Sequence, residues 1–218
     1  MRLPRSDAPV GSPTRPPTHP PTEPSRDALV VVDVQNDFVD PRGSLAVRGA
    51  ARLLPRVNRE ISRAASTGSL VVCTQDWHPP STPHFARDGG RWPVHCVAET
   101  WGAQLHPELR VSAYVPRIRK GVNGEDGYSA FSVRDPLTGA EGATELEDLL
   151  RASAVTRVVI CGVATDYCVR ATALDAMRLG FETAVLTDAV AAVNLRPGDG
   201  ERALDEMAAA GVELRPDG

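Results

Sequence analysis

Residues 157–180 read RVVICGVATDYCVRATALDAMRLG, and two periodicities meet within them. The run at 157–161 is apolar and β-branched after its arginine and too short for a helix, which marks a strand buried on both faces of a sheet. Residues 166–179 follow a helical pattern that stops at Gly180, a residue free to adopt the left-handed conformation that closes helices. A buried strand feeding directly into a helix is the unit of a parallel sheet. The flanking sequence repeats it. Upstream, 28–32 (ALVVV) is a strand ending at Asp33, and Leu53, Leu54, Val57, Ile61 and Ala64 share one face of a helix that stops at Gly68. A further strand spans 70–74 (LVVCT), residues 114–115 are a weaker strand candidate, and Leu146, Leu149 and Leu150 mark a short helix. Downstream, strands at 183–186 and 212–214 bracket a helix at 201–210. The expected fold is α/β, a three-layer α/β/α arrangement around a central, mostly parallel six-stranded sheet.

Composition narrows the function. The 218-residue chain suits one domain with some excess, and its net charge of -4 gives no electrostatic footprint for nucleic acid. No apolar run reaches the ~18 residues needed to span a bilayer. The N-terminus lacks a hydrophobic signal core, so the expectation is a cytoplasmic protein whose four cysteines are free thiols. Residues 1–26 hold eight of the nineteen prolines and almost nothing to bury. They are expected to form a disordered tail ahead of a folded domain at 27–218.

Two stretches break the strand–helix rhythm. Residues 75–110 contain all three tryptophans, and 117–142 are rich in glycine and polar residues. Loops that long are uncommon in compact domains unless they are functional. Both follow strands, so both fall at the carboxyl edge where open α/β sheets bind ligands. Three reactive side chains share that edge: Asp33 after the first strand, Lys120 after the weak third, and Cys168 where the strand at 157–161 gives way to helix. Singly, they read as a turn cap, a solvated lysine and an inert thiol. Together they offer a nucleophile, a carboxylate base and a cation, with an early-helix position that favours the thiolate. Asp76, His78, His84 and His95 lie in QDWHPPSTPHFARDGGRWPVHC. A carboxylate with three imidazoles suits zinc, iron(II) or manganese. Cys96 beside them reads as a packed thiol, Cys73 and Cys161 as core, and His19 and His106 carry no assignment.

The motifs DVQNDF at 33–38, D-x-H with two further histidines at 76–95, Lys120 and GVATDYCV at 162–169 resemble, in order and spacing, the isochorismatase-like cysteine hydrolases. Within that superfamily they resemble the nicotinamidases, also called pyrazinamidases, over roughly residues 28–214. The resemblance implies an Asp33–Lys120–Cys168 triad and an oxyanion hole from the backbone N–H groups of Ala164 and Cys168. It implies a non-proline cis peptide between Val163 and Ala164, and one divalent metal, zinc first, with iron and manganese as alternatives, on Asp76, His78, His84 and His95. Phe38, Trp92, Tyr128 and Val163 match residues of the substrate pocket. The implied activity is hydrolysis of nicotinamide, and of pyrazinamide, through a cysteine thioester, supplying nicotinate to NAD salvage. The implied partner is a small molecule, neither nucleic acid nor membrane, and both a monomer and a homo-oligomer stay open. Rival readings are an amidohydrolase of the same fold with another amide or ureido substrate, and a silent binding module. The proline-rich tail and the segment VNGEDG at 122–127 have no counterpart in the resemblance.

Overall fold

The computed structural model describes residues 26–216. The tail expected at 1–26 therefore lies, apart from Arg26, outside the described residues. The elements, in chain order, are β1 (Asp27–Val32), the short helix α1 (Asn36–Val39), α2 (Leu54–Thr67), β2 (Leu70–Asp76), β3 (Arg117–Lys120), β4 (Ser132–Arg134), β5 (Glu141–Ala143), α3 (Leu146–Ala152), β6 (Arg157–Val163), α4 (Arg170–Arg178), β7 (Glu182–Ala191), α5 (Asp199–Ala209) and β8 (Glu213–Arg215). Six strands form one sheet in the order β3-β2-β1-β6-β7-β8, and β4 and β5 form a separate antiparallel pair. Every pairing in the large sheet is parallel.

The alternation of side chains along a strand gives the sheet two apolar faces. Leu29 and Val31 of β1 pack with Val57 and Ile61 of α2, and with Cys73, Val159 and Cys161 of the neighbouring strands. Ala28, Val30 and Val32 face the other way, toward Leu146 and Leu150 of α3, Ala173 and Ala176 of α4, and Met207 of α5. Burying each such valine or leucine is worth about 1.5–3 kcal/mol, which is why they dominate the central strands. Helix α2 carries a proline in its first turn and closes on Gly68 at φ 72°, the stop that the sequence indicates.

Three elements differ from the sequence reading, and all three bear on the site. The third strand is Arg117–Lys120, not 114–115, and Tyr114 is 94% exposed. This strand sits at the sheet edge, alternating exposed Arg117 and Arg119 with buried Ile118 and Lys120, so it has no apolar run to reveal it. Strand β2 continues through Thr74, Gln75 and Asp76, all buried, and thus carries polar side chains to its carboxyl end. The helix expected at 166–179 is α-helical only over Arg170–Arg178, because Thr165–Val169 form a π-helical turn. Cys168 lies in that turn.

Candidate active site

At the carboxyl ends of β1, β2, β3 and β6 the chain gathers a set of buried charges. Asp33 leaves β1 in the left-handed region, at φ 48°. Its amide donates to Thr74 Oγ1 at 3.1 Å, and the Thr74 hydroxyl donates back to Asp33 Oδ1 at 2.6 Å. Lys120 ends β3 in register with Asp76, which ends β2. Its ammonium lies 2.8 Å from Asp33 Oδ2, 2.7 Å from Asp76 Oδ1 and 3.6 Å from Cys168 Sγ. The Lys120 side chain is 1% exposed and Asp33 is fully buried. Such a cation is tolerable only because two carboxylates and a thiol surround it.

Cys168 reaches this cluster through a sharp approach of two strands. Gly162, at φ 115°, lies so close to β1 that a Cβ would stand 2.0 Å from the Val32 carbonyl oxygen. No other residue fits, and the chain then turns through a cis peptide bond between Val163 and Ala164 into the π-helical turn. Asp33, Asp76 and Cys168 each place a side-chain atom within 4.8 Å of the others.

The electrostatics divide the labour. Burial pushes the Asp33 carboxyl up, Asp76 pushes the same way, and Lys120 opposes them without winning. Burial also raises Asp76, but Lys120 and the nearby His78 and His95 outweigh it and hold that carboxyl well below its ordinary range. Burial lowers Lys120, yet Asp33, Asp76 and Cys168 overcome it, so the ammonium keeps its proton. Burial, with Asp33 and Asp76, drives the Cys168 thiol up against the pull of Lys120. Burial thus works against the early-helix preference for the thiolate, and the thiol lies in a cluster with a carboxylate able to take its proton.

Next to this cluster stand the three histidines, all buried, with one ring nitrogen each inside a 4.8 Å sphere. Asp76 Oδ2 lies 3.8 Å from both His78 Nε2 and His95 Nε2, so this carboxylate turns one oxygen to Lys120 and the other to the imidazoles. His95 Nδ1 is 2.7 Å from the Pro93 carbonyl and His84 Nδ1 is 2.8 Å from Asp126 Oδ1. Both partners only accept, which places the proton on Nδ1 and leaves the Nε2 lone pair inward. His78 is buried with neither ring nitrogen hydrogen-bonded. An unsatisfied buried polar group costs about 1–3 kcal/mol, a cost that metal ligation removes, and burial keeps His78 in the neutral form that ligates. One carboxylate and three imidazoles fit a divalent ion of the zinc, iron or manganese type.

A cleft opens onto both clusters, lined by Asp76, His84, His95 and Cys168 and by the four pocket residues Phe38, Trp92, Tyr128 and Val163. Leu45, Val47, Tyr167 and Val193 complete its wall and went unnoticed in the sequence, where nothing sets them apart from core residues. Trp92 Nε1 donates to the Tyr128 hydroxyl at 3.1 Å, and the Tyr167 ring meets both rings edge-on. Ala164, whose amide is one of the two expected oxyanion donors, also lines the cleft. Three polar residues outside the expected set support it: Thr74 on Asp33, Asp126 on His84, and Gln35, which brackets Asp76. The Gln35 side chain accepts from the Asp76 amide at 2.8 Å and donates to the Asp76 carbonyl at 2.7 Å. Cys96 packs in the apolar core with its amide on Asp37 Oδ2 at 2.7 Å. Cys73 and Cys161 are core residues too, and burial raises the Cys73 thiol to about 12. His106 is buried and accepts from the Glu108 amide at 3.3 Å.

Residues 27–215 match the isochorismatase domain. The chain belongs to the isochorismatase family. Among members of that family it is 39% identical over 203 residues to a nicotinamidase of Escherichia coli (strain K12), covering 86% of this chain and 93% of that protein. It is 42% identical over 190 residues to a nicotinamidase/pyrazinamidase of Mycobacterium tuberculosis, covering 86% and 97% respectively. The structure of the Pyrococcus horikoshii pyrazinamidase in complex with zinc superposes with a TM-score of 0.78 at 41% identity, over 88% of this chain and 99% of that one. Isochorismatase-family membership accounts for the six-stranded parallel sheet, and the nicotinamidase relatives indicate an amidohydrolase.

Proposed function

We propose that this chain is a nicotinamidase, hydrolysing nicotinamide to nicotinate and ammonia, and pyrazinamide likewise, through a cysteine thioester. The observation that carries the reading is the double use of Asp76: one oxygen on the triad lysine, the other facing His78 and His95, beside a cleft lined by the aromatic rings of Phe38, Trp92 and Tyr128. The relatives that act on nicotinamide support it.

In this reading Asp33 takes the Cys168 proton, with Lys120 holding the carboxylate in place and compensating the thiolate charge. The thiolate attacks the carboxamide carbon. Backbone N–H groups of Ala164 and Cys168 hold the oxyanion, an interaction typically worth about 2.7–4 kcal/mol per donor. As the tetrahedral intermediate collapses, the C–N bond breaks and Asp33 returns its proton to the departing ammonia. Water, deprotonated by Asp33, then cleaves the nicotinoyl thioester and restores the thiol. Phe38, Trp92, Tyr128 and Val163 position the ring. Asp76, His78, His84 and His95 would hold a divalent ion, zinc first, which when bound supplies a Lewis-acid contact for the pyridine nitrogen. The catalytic domain spans 27–218, and we place the reaction in the cytoplasm, feeding NAD salvage.

The test is ammonia release from nicotinamide by metal-replete protein, with benzamide as control and Cys168→Ala as blank. Release from nicotinamide alone, lost in the variant, is expected. Equal release from benzamide would overturn the role given to the ring nitrogen, and no release at all would shift the assignment to another amide.

A further inference from the structure

The segment at 121–127, which the reaction does not use directly, is packed against the histidine cluster at three points. At Gly121, φ 75°, a Cβ would stand 2.5 Å from His78 Nδ1, so the His78 ring occupies space that only a glycine leaves open. Thr82, two residues before His84, donates its hydroxyl to the Gly124 carbonyl at 3.1 Å. Asp126 then places Oδ1 2.8 Å from His84 Nδ1.

Asp126 is itself held. Its amide donates to the Arg134 carbonyl at 2.7 Å and its carbonyl accepts from the Arg134 amide at 2.6 Å. Its Oδ1 accepts from the Gly127 amide at 2.8 Å. Those backbone bonds anchor the residue independently of its side chain, leaving the carboxylate to act on the imidazole. The Arg134 guanidinium is 3.8 Å from Oδ2 and mostly exposed, too solvated to compete for the carboxylate.

We propose that Asp126 is a positioning residue for metal binding: its carboxylate fixes the His84 tautomer and ring orientation, and raises the basicity of the Nε2 that ligates. The proposal rests on the metal assignment above. His95 is oriented by a backbone carbonyl, which no side-chain change removes. His84 is oriented by a side chain on a separate loop, and is the ligand whose affinity sequence change at 122–127 can tune. Outer partners of this kind are typically worth about 10–100-fold in metal affinity.

The experiment strips the full chain of metal with a chelator and titrates it with zinc against a chromophoric competitor. Wild type, Asp126→Ala, Asp126→Asn, His84→Ala and the Asp126→Ala/His84→Ala double variant are compared. The expected result is zinc binding weakened by about 10–100-fold in Asp126→Ala, a smaller loss in Asp126→Asn, and almost no further loss when Asp126→Ala is added to His84→Ala. Wild-type affinity in Asp126→Ala overturns the proposal. So does an equal loss in both backgrounds, which would mean that Asp126 merely holds its loop. Should Asp126→Ala fail to fold, the near-isosteric Asn variant decides alone, weakened binding sustaining the proposal and wild-type binding ending it. A wild type that binds no zinc removes the metal assignment itself, an outcome distinct from the others.

Discussion

Lys120 and Asp76 are register partners on adjacent parallel strands, and the ammonium of one lies 2.7 Å from a carboxylate oxygen of the other. Through this contact the nucleophile cluster and the histidine cluster share one charge. Losing Asp76 therefore removes a proposed metal ligand and also one of the two carboxylates that compensate the lysine. Asp76→Ala is expected to lower zinc content and to destabilise the fold by about 3–5 kcal/mol, the usual cost of orphaning a buried ion. His95→Ala removes a ligand but no partner of Lys120, and is expected to lower zinc content with a much smaller drop in stability. Metal analysis and urea unfolding of the two variants check this; equal destabilisation would contradict the shared-charge reading.

In the proposed mechanism Cys168 supplies the bond-forming atom. Cys168→Ala is expected to reduce kcat by roughly 10⁴-fold or more, the scale on which enzymes lose rate without their nucleophile. Zinc content should stay at the wild-type level, since the thiol is not one of the four proposed ligands. Turnover above a hundredth of wild type would remove the thioester from the mechanism.

The acid limb of the pH profile reports on Asp33. The base must be ionised, and burial raises its carboxyl above the ordinary value, so kcat/KM should fall as pH drops through that raised value, sooner than for a solvated aspartate. The Thr74 hydroxyl stabilises the ionised form by donating to Oδ1. Thr74→Val keeps the shape and removes that bond, and should move the acid limb up by about one pH unit, equivalent to ~1.4 kcal/mol. An unmoved limb would mean that the hydroxyl does not act on the base.

Gly162 tests the backbone. Ala at this position meets a disallowed φ and a carbonyl oxygen 2.0 Å from its Cβ. The expected loss is about 2–6 kcal/mol, the sum of backbone strain and overpacking, read as a lowered urea midpoint. A midpoint within error of wild type would show that β6 and β1 can separate here without cost.

Removal of residues 1–24 should leave kcat/KM and Tm almost unchanged. Arg26 is spared because its carbonyl accepts from the Thr156 amide at 3.1 Å, at the start of the sheet. A large fall in either quantity would assign the proline-rich segment a part in the folded enzyme.

The amino-acid sequence by itself determined the layered sheet, because burial on two faces requires uninterrupted apolar strands and amphipathic helices, and both are local patterns. It also placed Asp33, Lys120 and Cys168 just after strands, where loops and sheet edge meet. The polar end of β2 and the charged edge strand β3 escaped it, since neither has an apolar run. What only the tertiary structure decided is which groups pair. Thr74 lies 41 residues from Asp33, Asp126 lies 42 from His84, and Lys120 lies 87 from Asp33. Hydrogen bonds and charges act over a few ångströms of space without regard to sequence distance. The surroundings of Cys168, the orientation of His84 and the sharing of Asp76 therefore follow from strand register and loop packing, which set those distances.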